Sequence, residues 1–136
     1  MNPTDLLAHR APMLLLDSVL EAGPETVTAI TRVDPAAWYA QDGAMPAWFG
    51  LELMAQTVAA YSGVQQSALG VEPRIGYLLG TRSYACALPA FPAGAELRIH
   101  AKLHYLDDTG LSAFHCAIHL NGAEIATAIL KTLEVR

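Results

Sequence analysis

From Gly43 to Val71 the chain runs for twenty-nine residues with one charged side chain, Glu52. A stretch that apolar must be buried, so the fold has either to desolvate this carboxylate or to give it a partner. Residues 44–64 are long enough to raise the question of a membrane span. Pro46, Glu52, Gln56 and several small polar residues interrupt them, however, and a buried helix of a globular domain is the better reading. Proline is favoured at the first turn of a helix, and the pattern predicts one from about Trp48 to Ala68, ending near Gly70. Glu52, Gln56, Ala59 or Ala60, and Gly63 fall on one line of that helix. After Gln56 the line carries almost no side chain. It reads equally as close packing or as a groove beside Glu52 that admits an extended substrate.

The remainder of the 136 residues reads as strands, and a single domain over 1–136 is expected. Thr4 to Ala8 suits a short helix stopped by Pro12, with Thr4 as cap. Met13 to Leu20 is a continuous apolar strand candidate, Gly23-Pro24-Glu25 is turn chemistry, and Thr26 to Val33 alternates. Beyond Pro73, Arg74 to Tyr84 is a strand in which Gly76 and Gly80 mark bulges. Glu96 to Leu106 and Leu111 to Leu120 alternate strongly, and Asn121-Gly122 gives a hairpin into Ala123 to Val135. One long helix among antiparallel strands must cover one face of the sheet, which makes the fold class α+β.

Only 15% of residues are charged, against about 25% in an average globular chain. That scarcity points to surface covered by another subunit. A net charge of −5, with no run of Lys or Arg, excludes a nucleic-acid partner. Cys86 and Cys116 form no CxxC pair and no basic, apolar leader opens the chain, so a reducing cytoplasm with free thiols is expected. His100 and His104 share one outward sheet face with His115 and His119. Imidazoles so placed suit zinc or copper, but no carboxylate or thiolate is expected to join them, and no metal site is read there. A two-residue loop would set His104 opposite His115 and His100 opposite His119; a four-residue loop would offset them.

Four segments, in order, carry a resemblance. Leu7-Ala8-His9-Arg10-Ala11-Pro12-Met13-Leu14-Leu15-Leu16-Asp17 is similar to L-P-H-R-x-P-F-L-L-V-D. Met45-Pro46, then Glu52 and Met54-Ala55-Gln56, match M-P-G-x-x-x-x-E-A-x-A-Q. Gly76-Tyr77-Leu78-Leu79-Gly80 resembles G-Y-F-x-G, and Pro92-Ala93-Gly94 resembles P-x-G. Together they resemble the β-hydroxyacyl-acyl carrier protein dehydratases of the FabA/FabZ type, and more narrowly the ApeP-type dehydratases of aryl polyene biosynthesis. The resemblance implies a hot-dog fold, an antiparallel sheet wrapped around one central helix, paired into a dimer. It also implies elimination of water from a 3-hydroxyacyl thioester on acyl carrier protein, with no cofactor.

On this resemblance Glu52 is the acid that protonates the departing hydroxyl. Burial would favour the uncharged form that this role needs. Backbone N–H groups near Ala47 would polarise the thioester carbonyl. Met45, Trp48, Phe49 and Tyr77 would wall the groove, with Gln56 beside the acid. The family's base, however, is a histidine in a G-H-F-P segment eight residues before the helix-entrance proline. Trp38 stands there, no histidine occurs between Arg10 and Ile99, and the segment from Val33 to Pro46 is about five residues short. Three explanations compete: His9 is the base; a related subunit supplies it in a heterodimer; or the chain binds acyl carriers without catalysis. A homodimer fits the first. A hot-dog thioesterase using Glu52 as base or nucleophile is the other enzyme reading.

Overall fold

The computed structural model describes residues 1–70 and 76–134, with the backbone alone at 76–79 and 134. The alternating segments form strands and the long apolar run forms the helix. In chain order they are β1 (Ser18–Ala22), β2 (Thr26–Arg32), β3 (Met45–Pro46), α1 (Phe49–Ala68), β4 (Gly76–Cys86), β5 (Ala90–Phe91), β6 (Glu96–Leu106), β7 (Leu111–Leu120) and β8 (Ala123–Glu134). Six strands make one antiparallel sheet in the order β1-β2-β6-β7-β8-β4, and β3 pairs with β5. α1 lies on one face of the sheet and packs on β6, β2 and β7. Leu53, Met54, Val58 and Ala60 of the helix join Val27, Ile99, Ile118 and Leu130 of the sheet in one core. This is the hot-dog arrangement. Among the described residues no helix is long and apolar enough to cross a membrane.

Several local expectations fail for physical reasons. The short helix is a 3₁₀ turn, Pro3–Asp5, capped by Asn2 rather than Thr4: the Asn2 Oδ1 accepts from Thr4 N at 3.1 Å. The apolar run from Met13 is not strand until Ser18. At Leu15 the backbone is bonded to side chains instead: its N–H donates to Gln56 and its carbonyl accepts from Thr31. Side-chain pattern alone does not reveal that exchange. The expected strand residues Arg74, Ile75 and Val135 lie outside the described residues.

The slim line of α1 is closed rather than open. A Cβ on Gly63 would overlap the Leu6 carbonyl, so the N-terminal segment packs directly on the helix backbone. Further along the line, Gln56 holds Met13 and Leu15. The groove reading therefore fails along that line, and close packing replaces it.

Candidate active site at the entrance of α1

Glu52 stands in the first turn of α1, where the helix dipole favours a carboxylate. One turn on, Gln56 is fully buried. Its Nε2 donates to Glu52 Oε1 at 3.0 Å and to Met13 O at 2.8 Å, while its Oε1 accepts from Leu15 N at 2.8 Å. Both amide hydrogens are thereby engaged, so Gln56 has no donor left for a substrate. It holds Glu52 and fastens the N-terminal segment, which differs from the direct substrate contact expected for it.

That segment brings His9 to the same place. His9 Nε2 is 3.6 Å from Glu52 Oε1, close enough for an ion pair but too long for a hydrogen bond. The Arg10 guanidinium folds back onto the carbonyls of Leu7 and His9, both at 2.8 Å, and fixes the turn. His9 Nδ1 is buried and has no hydrogen-bond partner among the described residues. A buried N–H without an acceptor is costly, so a neutral His9 carries its proton on Nε2, facing Glu52.

The carboxylate is less enclosed than the sequence suggests. Glu52 keeps 40% of its side-chain surface and His9 38%, and no described residue roofs them. Around them Met13, Trp38 and Trp48 are more than half exposed. Trp38, in the place of the family's histidine, donates from Nε1 to Pro12 O at 2.8 Å and stands edge-on to Phe49 at 5.5 Å. Phe49 is half-buried, as an aromatic wall would be. Met45 is fully buried in the core beside Phe91, so it cannot wall an open groove in this chain. The Tyr77 side chain lies outside the described residues.

Ala47 also differs from expectation. Its N–H donates to Pro89 O at 3.0 Å and is not free for a thioester. Its carbonyl accepts from Gly50 N and from the Tyr84 hydroxyl. The unengaged donors at the helix entrance, among the described residues, are the N–H groups of Trp48 and Phe49. Burial, and then the neighbouring Cys86 thiol, push the Tyr84 phenol well above its ordinary range, which keeps it a donor. The chain pattern contained no signal for Tyr84.

The hairpin histidines form two like pairs. The ring centres of His104 and His115 are 4.7 Å apart, and those of His100 and His119 4.9 Å. Neither pair is directly opposite: the loop has four residues, Lys102 faces His115, Arg98 faces His119, and a bulge takes up His104. Contrary to expectation a carboxylate does join them, since Glu124 lies 3.9 Å from His119. No group of three or more possible ligands is placed to hold a metal among the described residues. Cys86 and Cys116 are free thiols.

The ApeP-like family model, described as ApeP dehydratase, matches residues 1–136. A chain of the dehydratase heterocomplex ApeI:P from Xenorhabdus doucetiae superposes with a TM-score of 0.93 at 30% identity, covering 100% of this chain and 92% of that one. More distant structures share the fold alone. A hypothetical thioesterase of Streptococcus pneumoniae with coenzyme A gives 0.67 at 16% identity, over 87% and 84% of the two chains. The PaaI protein of the E. coli phenylacetic acid degradation operon gives 0.69 at 10%, over 88% and 79%. Nothing among curated protein sequences matches. With its whole length matched and its nearly superposable hot-dog backbone, the chain belongs to the ApeP-like dehydratases.

Proposed function

We propose that the chain is the carboxylate-bearing subunit of a 3-hydroxyacyl-acyl carrier protein dehydratase in fatty-acid-like or aryl polyene biosynthesis, completed by a related hot-dog subunit. The observation that carries this is the fixed carboxylate at the start of α1: Glu52 Oε1 is held by Gln56, and Oε2 has no partner among the described residues. A protonated Glu52 therefore carries its hydrogen on Oε2. In the reaction a base removes the Cα proton, and the electron pair of that bond forms the Cα=Cβ bond. Glu52 then gives its proton to the departing hydroxyl, which leaves as water. Free N–H groups at Trp48 and Phe49 stabilise negative charge on the thioester oxygen.

Two observations favour a base from a partner subunit. Trp38 occupies the family's histidine position, and the imine nitrogen of a neutral His9 is the buried Nδ1, out of reach of a substrate. The heteromeric nature of the ApeI:P dehydratase agrees with such a division of labour. A partner seated on Met13, Trp38 and Trp48 would close the open side of the site and exclude water from Glu52. The 3.6 Å approach of His9 to Glu52 favours a second reading, in which His9 shifts its proton to Nδ1 and is itself the base.

The test supplies a 3-hydroxyacyl thioester of acyl carrier protein to the purified chain, alone and mixed with a hot-dog subunit carrying a Gly-His-Phe-Pro segment. Enoyl product from the mixture alone, little changed by His9→Ala, is the expected result. Turnover by the chain alone that falls about a hundredfold or more in His9→Ala assigns the base to His9. Free thiol without enoyl product refutes dehydration in favour of hydrolysis, and neither product leaves acyl-carrier binding alone.

A further inference from the structure

Tyr84 reaches the helix entrance through two local departures from regular strand structure and a glycine that receives it. Between Arg82 and Ala85 the pairing of β4 with β8 shifts register, and Ser83 adopts a φ of 57°, a left-handed conformation rare outside glycine. The shift leaves Ser83 and Tyr84 outside the regular pairing of β4 with β8. At the receiving end Gly50 has no Cβ; one built there would overlap the Tyr84 hydroxyl and press on Phe91 and Ile118. The hydroxyl donates to the Ala47 carbonyl, which also accepts from Gly50 N.

A trans peptide points its C=O and N–H in opposite directions. The Ala47 carbonyl accepts from Gly50 N as well as from Tyr84 and so points along the helix, and the N–H of Trp48 in the same peptide points out of the start of α1. Gly50 marks the sheet-facing side of the first turn, and Glu52, two residues on, lies about 200° around the helix from it. Trp48, four residues before Glu52, lies on the same side of the helix, and its unengaged N–H projects from the end of α1 that carries Glu52. A carbonyl that accepts two hydrogen bonds also polarises its peptide and strengthens the N–H as a donor.

We infer that Tyr84 is a positioning residue for the dehydration: it holds the Ala47–Trp48 peptide so that the Trp48 N–H meets the thioester oxygen on the Glu52 side. This rests on the dehydratase reading above. Tyr84→Phe keeps the ring and removes the hydroxyl. In the mixture with the partner subunit, kcat should fall roughly three- to tenfold with KM within about twofold, since one positioning hydrogen bond is lost. A bound acyl thioester lacking the 3-hydroxyl and labelled with carbon-13 at its carbonyl supplies a readout that loss of fold stability would not move. Its infrared carbonyl band should shift less from the free position in Tyr84→Phe than in the wild type. Gly50→Ala, which displaces the hydroxyl, should reproduce the smaller shift, and the double variant should add nothing to it. An unchanged band and unchanged kcat in Tyr84→Phe overturn the inference. If the wild type forms no enoyl product the dehydratase reading fails, and the carbonyl band decides the role of Tyr84 by itself.

Discussion

The helix entrance and the β6–β7 hairpin both gather titratable side chains, to similar degrees of exposure. His9 and Glu52 keep 38% and 40% of their side-chain surface; His119 and Glu124 keep 28% and 54%. Burial therefore does not separate them. At the helix entrance an imidazole and a carboxylate meet over a buried amide that fixes one carboxylate oxygen and leaves the other for a proton. On the hairpin, imidazole stands against imidazole, and the nearest carboxylate is held only by a long ion pair from β8. Acid–base chemistry needs unlike groups with assigned protons. Four histidines on one face supply number without that assignment.

The largest effect should come from testing this contrast directly. Glu52→Gln keeps the shape and removes the transferable proton, and should lower enoyl formation by the completed enzyme at least about a hundredfold. Replacing His100, His104, His115 and His119 together by Asn should leave the rate within about twofold. Comparable losses in both variants would erase the distinction between the two regions. Next in size is Gln56→Leu, which removes three hydrogen bonds at once and leaves the buried Leu15 N–H without an acceptor. A stability loss on the order of 2–3 kcal/mol is expected in denaturant titration, with a slower reaction in the folded protein. Undiminished stability would mean that the N-terminal segment is held elsewhere.

Much of this arrangement was legible in the residues, and what was not has identifiable causes. Strict alternation set β6 and β7 to the residue, and the apolar run set α1 to within one residue at its start. Glu52 stood out because a lone charge in an apolar helix requires an explanation. Met13 to Asp17 misled because an apolar run says nothing about where its backbone hydrogen bonds go, and here Gln56 and Thr31 take them. The two-residue strands β3 and β5 are too short for any period to show, which hid the burial of Met45. The bulge at His104 and the approach of Glu124 to His119 belong to register, which alternation does not encode. Tyr84 was invisible for the same reason, since its place depends on a register shift in β4.

The smallest effect concerns the hairpin's response to acid. Burial, then His119 and Arg98, lower the tendency of His100 to take a proton below the ordinary imidazole value of 6.5, while Glu21 pulls the other way. Thr28 holds its Nδ1 at 2.9 Å, and Lys102 and Glu124 share the same concavity. Unfolding frees the imidazole, so below pH 6.5 the unfolded chain binds this proton more readily than the folded one. The stability that neutral His100 supplies is complete above pH 6.5, declines as pH falls below it, and stops declining once the folded protein also titrates. Melting midpoints should therefore fall between pH 7.5 and about 5.5, and fall less in His100→Gln. An equal fall in both proteins would show that acid sensitivity lies outside the hairpin. A smaller fall in His100→Gln, with catalysis unchanged, would mean that the hairpin histidines affect folding while the helix entrance carries the chemistry.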